Sequence, residues 1–363
     1  MFLLRLNVIM FVHIEIWKVD FMKKLLLLTL LLLMSFSLIA CDSNTDDPII
    51  DDFDPTDIGY LDIYYMNDFH GSILEDSPDE IGLSNIGNFL ISQKEAQPNN
   101  TIILAGGDML QGSALSNYYQ GLSTIELMNE MYFDAFTVGN HEFDWGIDVV
   151  TSYFDGNDAN GEANFPLLGA NIFLKNTTTI PENIDPYVII ERGDIKIGII
   201  GTIGAGLEYS IATSKIEDYE FGSPIQIIKD ITYDLRTNQD VDIVLVSSHD
   251  TGSTLNSQIA GGEGDYKVNA IFNGHSHSDY ANTSLGIPVI QSGSNGEYVG
   301  HVRLEFTDNL LVNHSVENIG YYDNDLLRSS NNVVSEIIAK YQLETDELFN
   351  TPIITAGEYL SQN

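Results

Sequence analysis

The chain has 363 residues, 44% of them hydrophobic, with 18 Tyr and 17 Phe, which supplies a large core and excludes a mostly disordered chain. Lys and Arg number 15 against 53 Asp and Glu, a formal net charge of -38, which argues against electrostatic binding to nucleic acid or to an anionic membrane surface. A phosphate-bearing ligand would have to be attracted by something other than Lys and Arg.

Residues 1–21 are hydrophobic but carry Glu15, Lys18 and Asp20, fit neither a signal nor a span, and read as an extension from a misplaced start codon. Met22-Lys23-Lys24 opens a second beginning, followed by a leucine-rich run from Leu25 to Leu33 and by Leu38-Ile39-Ala40-Cys41. This resembles a bacterial lipoprotein signal, whose cysteine is lipidated and becomes the new N-terminus. The alternative is an uncleaved membrane anchor, against which stands an apolar run shorter than the ~20 residues a span prefers. Cys41 is the one cysteine of the chain, so no disulfide forms within it. Residues 1–41 are thus expected to be an N-terminal extension and signal peptide, with the mature protein outside the cytoplasm and held to a membrane through Cys41. Residues 42–57, punctuated by Pro48 and Pro55 and rich in Asp, read as an acidic tether.

From Ile58 onward short β-type runs end in polar clusters, with segments of helix or loop between them. Leu61 to Met66 closes with Asn67-Asp68-Phe69-His70-Gly71. After a helix expected over Ile86 to Glu95, Thr101 to Ala105 closes with Gly106-Gly107-Asp108. A helical segment with Ile125, Leu127, Met128 and Met131 as its buried face precedes Phe136 to Val138, which closes with Gly139-Asn140-His141-Glu142-Phe143-Asp144. Val241 to Val246 closes with Ser247-Ser248-His249-Asp250, and Val268 to Phe272 with Asn273-Gly274-His275-Ser276-His277. Two further runs, Lys196 to Ile200 and Ile287 to Ile290, end in Gly-rich turns without such residues. Val299 to Val312 alternates as antiparallel strands do, and Asn332 to Phe349 returns to helical spacing.

The strand-end groups form one inventory: Asp68, His70, Asp108, Asn140, His141, His249, His275 and His277, with Asp144 behind them. Most of the eight histidines of the chain are in it. Any one of these histidines alone reads as a surface or core residue; together they read as a metal centre. Asp68 and His70, and likewise His275 and His277, are one residue apart, which in extended segments turns each pair to one side. The number of ligand-type residues exceeds what one Zn or Mn ion needs, so two ions are expected, with Asp108 as the bridging carboxylate. Such a pair activates water near neutral pH and clamps a phosphoryl group, which resolves the charge problem. Asp144, three residues past His141, is placed to fix that ring in one tautomer. The bland reading of the same loop has Asn140 turning the chain, His141 capping a helix and the acids facing solvent.

Asn67-Asp68-Phe69-His70-Gly71, Gly107-Asp108, Gly139-Asn140-His141-Glu142-Phe143-Asp144, His249 and Gly274-His275-Ser276-His277 resemble the metal-site motifs of the calcineurin-like metallophosphoesterases, in particular the secreted 5'-nucleotidase and cyclic-phosphodiesterase group. The resemblance runs from about residue 58 to 320. It implies a four-layer α/β/β/α fold, with one ion (Mn, Zn, Co or Fe) on Asp68, His70, Asp108 and His277 and a second on Asp108, Asn140, His249 and His275. It also implies that His141, oriented by Asp144, is a catalytic group stabilising charge on the phosphoryl group and not a ligand. The expected activity is hydrolysis of phosphate esters, foremost 5'-nucleotides, with 2',3'-cyclic nucleotides or nucleotide sugars as further candidates. The catalytic domain is expected over 58–330, and 331–363 resembles a linker helix and the first strand, Thr351-Pro352-Ile353-Ile354, of a nucleotide-binding domain that is absent or truncated here. No nucleoside-binding residue can therefore be carried over. The rival expectation is a surface-attached metal-binding lipoprotein that keeps the fold without a productive substrate site.

Overall fold

In the computed structural model, which describes residues 59–349, the apolar runs become two six-stranded sheets lying face to face. The strands are β1 (Tyr60–Met66), β2 (Thr101–Ala105), β3 (Ala135–Thr137), β4 (Leu167–Leu168), β5 (Ile172–Leu174), β6 (Tyr187–Arg192), β7 (Ile195–Ile203), β8 (Tyr219–Phe221), β9 (Ile243–His249), β10 (Ala270–Asn273), β11 (Asp279–Asn282), β12 (Val289–Ser292), β13 (Tyr298–Thr307) and β14 (Leu310–Gly320). The first sheet runs β14-β13-β1-β2-β3-β4 and the second β11-β12-β10-β9-β7-β6, while β5 and β8 pair separately. Within each large sheet the central strands are parallel, β1 to β4 in one and β7, β9, β10 and β12 in the other. Their near-continuous apolar runs suit strands covered on both faces.

Alternation along the strands divides the core. Leu61, Ile63 and Tyr65 of β1 turn inward to meet Ile197 and Ile199 of β7, Leu245 of β9 and Phe272 of β10. The opposite face of the first sheet packs under helices Leu83–Ala96 and Leu122–Glu130, with Ile86, Phe89, Ile125, Leu127, Met128 and Met131 all buried. The outer face of the second sheet is covered by helices Pro224–Asn238 and Ser253–Ile259 through Ile228, Leu235, Leu255 and Ile259. Helix, sheet, sheet, helix is the expected four-layer order. The two sheets are also joined by polar bonds, from Tyr65 Oη to the carbonyl of Asn273 (2.7 Å) and between the hydroxyls of Thr137 and Ser247 (2.7 Å).

The observed boundaries move for local reasons. The first helix begins at Leu83, not Ile86, because Gly82 stands at φ 77°, a left-handed value that ends the preceding turn at no side-chain cost. Strand β9 extends through His249 itself, so that histidine is a strand residue and not part of a following loop. The alternating stretch after Val299 is a hairpin of β13 and β14 with one register shift between Glu305 and Phe306. The helix expected from Asn332 to Phe349 is present over those residues. Cys41, the acidic tether and Thr351-Pro352-Ile353-Ile354 lie outside the described residues. Among the described residues no helix is long and apolar enough to cross a membrane.

Candidate metal centre

Every residue of the inventory stands at the carboxyl end of a parallel strand, the edge where open α/β sheets place their ligands. Asp68 and His70 follow β1, Asp108 follows β2, Asn140 and His141 follow β3, His249 ends β9, and His275 and His277 follow β10. Two groups converge within 4.8 Å: Asp68, His70 and His277, and Asp108, His249 and His275. Asn140 joins the second group, its Oδ1 lying 2.8 Å from Nδ1 of His275.

The expected mechanism of convergence does not hold. Asp68 (φ 47°), His70 (φ 52°), Asp108 (φ 53°), His275 (φ 70°) and His277 (φ 52°) all adopt left-handed backbone, not extended strand. Period-two alternation therefore does not orient them, and His275 and His277 go to different groups. Non-glycine residues in this region are uncommon and concentrate where surrounding structure imposes them. Here the imposition is visible. Asp68 N donates to the carbonyl of Gly107, and His70 N to that of Asp108 (3.0 Å each). His275 N donates to the Asp68 carboxylate (2.9 Å), and His141 N to Oδ1 of Asp108 (2.8 Å). Gly107 and Gly139 make room: a Cβ on the first would meet the His249 ring, and on the second the Asp108 side chain.

Second partners orient the rings. His70 Nδ1 lies 3.0 Å from the carbonyl of Gln111 and His249 Nδ1 2.8 Å from that of Gly106. A carbonyl only accepts, so Nδ1 carries hydrogen in both and Nε2 points into the site. His70 Nε2 then faces His277 Nε2 at 3.1 Å. His249 Nε2 is buried without a hydrogen-bond partner although it lies 3.0 Å from the Asp108 carboxylate; the two atoms are in contact but are not aligned as donor and acceptor.

The charges point the same way. Asp68 (0% exposed) and Asp108 (1%) have no Lys or Arg within ion-pair reach among the described residues; their ion-pair partners are His249 and His277. Burial would lower the His249 pKa, but the Asp108 carboxylate and then Asp68 outweigh it and push the imidazole up to about 10. Burial would raise Asp108, yet His249 and His141 hold it well below the usual carboxylate range. His70 and His275 are lowered by burial, so they present neutral rings. Buried carboxylates, the neutral rings of His70 and His275 and an amide oxygen, with no Lys or Arg in reach among the described residues, are a donor set suited to divalent cations.

His141 stands at the rim, its side chain 36% exposed, with Nδ1 2.8 Å from Asp144 Oδ2 and its ring edge-on to His70 at 5.2 Å. Burial lowers its pKa, but Asp108 and Asp144 outweigh that and raise it, favouring a proton on the ring. The acids of this loop do not both face solvent. Glu142 is 0% exposed, and burial and the Asp108 charge push it up to about 7. The signal for its burial lies next to it in Phe143, also wholly buried in the short 3-10 turn His141–Phe143.

The sequence inventory also omitted two supports. Asn67 donates to Asp68 Oδ2 (2.7 Å) and to the carbonyl of Gly293 (2.9 Å). Gln291, fully buried in β12, accepts from Ser276 Oγ (2.7 Å) and Ser278 N (3.1 Å), on either side of His277. The end of β12 carries no ligand-type residue, but Ser292 N and Asn295 N bond to Asn67 Oδ1 and the Asp68 carbonyl.

Residues 61–279 match the family model for calcineurin-like phosphoesterases. The chain is 28% identical over 283 residues to a snake venom 5'-nucleotidase of Naja atra, an alignment covering 68% of this chain and 50% of that one. It is 29% identical over 281 residues to an apyrase of Tabanus yao, covering 69% and 48%. In fold it is similar to a 5'-nucleotidase precursor from Thermus thermophilus, with a TM-score of 0.67 and 21% identity over 80% of this chain and 60% of that one. It spans half or less of the length of these curated relatives. With more than half of its residues matched by the family model, this chain belongs to the calcineurin-like phosphoesterases.

Proposed function

We propose that the chain is a metal-dependent phosphohydrolase of nucleotides that works outside the cytoplasm. The observation that carries this reading is the convergence of two acid-histidine groups whose buried carboxylates, among the described residues, meet no Lys or Arg. Asp68, His70, Asp108 and His277 would hold one divalent ion and Asp108, Asn140, His249 and His275 the other. Two such ions supply positive charge for the phosphate and a nucleophilic water near neutral pH. The residues of the chain do the rest. His141, fixed by Asp144 through Nδ1, offers its Nε2 hydrogen to a phosphoryl oxygen as negative charge develops there. The Gln111 and Gly106 carbonyls keep His70 and His249 in the tautomer that leaves Nε2 directed inward. The net reaction adds water across the P–O ester bond and releases an alcohol and phosphate. Nucleotide substrates are supported by the names of relatives, a 5'-nucleotidase and an apyrase.

The assay is hydrolysis of an activated aryl phosphate and of nucleoside monophosphates by purified protein. Activity is expected to vanish with excess chelator and return with Mn, Co or Zn. Full activity in chelator would end the reading, and metal binding without turnover would favour a binding lipoprotein instead. Attachment through Cys41 is supported by the Leu38-Ile39-Ala40-Cys41 box and by a relative named as a cell wall protein in Listeria monocytogenes. Labelled fatty acid should enter the full chain in a bacterial host and be absent from the Cys41→Ala variant; equal labelling of both would exclude this attachment.

A further inference from the structure

We propose that Glu142 is a positioning residue: its carboxylate aims Asp108 and fastens the β2 loop to the β3 loop, so that the two ligand groups form one site. The inference rests on the metal reading above for its consequence but not for the clamp itself. Oε2 of Glu142 accepts from the backbone N–H of Asp108 (2.9 Å) and of Gly139 (2.7 Å), and Oε1 from that of Met109 (3.0 Å). Asp108 therefore enters its left-handed conformation with its own N–H and the next one spent on a single side chain.

On the other side of the same loop, the carbonyls of Asp108 and Met109 are held by backbone N–H groups. His70 N and Gly71 N donate to the carbonyls of Asp108 and Met109, 3.0 Å each. The β2 loop is thus gripped on its carbonyl side by the segment that carries Asp68 and His70, and on its N–H side by the carboxylate of the segment that carries Asn140 and His141. The last link, His141 N to Asp108 Oδ1, fixes which way the Asp108 side chain turns. Three N–H donors require an acceptor with two oxygens. A carboxylate provides it, and the bonds from the Asp108 and Gly139 amides offset part of the cost of its burial. Glutamine has the same shape but only one acceptor oxygen, and it would set an NH2 group against at least one N–H.

The test uses Glu142→Gln in the folded chain, first without metal. In chelator-treated protein, the amides of Asp108, Met109 and Gly139 should exchange with solvent at least about tenfold faster than in wild type, while amides of Ile102 to Leu104 in β2 stay protected. Loaded with Mn, wild type should give the spin-coupled signal of two ions sharing a ligand; the variant should lose the coupling. Thr137→Val, which removes the buried hydroxyl pair with Ser247, is the control for a merely structural role: it should lower stability and move neither readout. Should Glu142→Gln fail to fold, Glu142→Asp keeps the charge but withdraws it by one methylene and is expected to give the same pattern. Unchanged protection of the three amides, or coupling retained in the variant, overturns the inference. If wild type shows no coupled pair, the metal reading falls and the amide exchange alone decides the clamp.

Discussion

His141 and Asp108 lie one hydrogen bond apart yet have different expected roles, and substitution separates them. His141→Ala should leave bound metal near wild type and lower kcat by roughly two to four orders of magnitude, the range for losing one acid-base or charge-stabilising group. Asp108→Ala should lose metal, since it removes the carboxylate nearest His249. Metal analysis beside kcat decides; equal metal loss in both variants would contradict the division. At this scale the candidate ligands were legible because their residue types are rare together and recur after apolar runs. Their orientation was not legible. No local pattern announces that Asp68, His70, Asp108, His275 and His277 all take positive φ, because partners distant in the chain such as Gly107, Gln111 and Gln291 impose or support the turns.

Strands β1 and β13 carry the second prediction. Asp62 of β1 lies opposite Arg303 of β13 and accepts from its Nε and Nη2 (2.7 Å each) and from His301 Nε2 (2.8 Å). Burial would raise the Asp62 pKa, but the bonds and charges of His301 and Arg303 outweigh it and lower it from 3.8. A depressed carboxylate contributes stability that is fully present above its unfolded pKa and is lost as pH falls through the lower folded value. Asp62→Asn should therefore cost about 1–2 kcal/mol near pH 7, a figure reduced for the partly exposed guanidinium, and the difference from wild type should shrink below about pH 4. Urea unfolding of both proteins at pH 7 and pH 3.5 measures this; a constant difference would refute it. Element types were readable wherever the apolar runs were long, as in β2 and helix Asn332–Phe349. β6, β11 and the small β5–β8 pair were not readable, because edge strands lack the double-sided burial that gives a continuous apolar signature.

For the whole molecule, the charge of -38 acts on every encounter with an anionic substrate, and two divalent ions leave the chain strongly negative. Raising ionic strength from ~0.01 to ~0.15 M shortens the screening length from about 30 to about 8 Å, so kcat/KM for a nucleoside monophosphate should rise, not fall, over that range. A steady fall with salt would mean that the local field of the metal centre dominates the approach. The sheet order has another consequence, for synthesis. β13, late in the chain, lies between β14 and β1, and the turn that leads into it carries the Asn295 N–H that grips the Asp68 carbonyl. The His275 N–H that grips the Asp68 carboxylate comes from 207 residues downstream. A growing chain thus holds only part of the candidate ligand set until His277 is made. Any ion captured in that interval would be held by an unfinished set, and selection of the right ion would wait for the last of these residues to arrive.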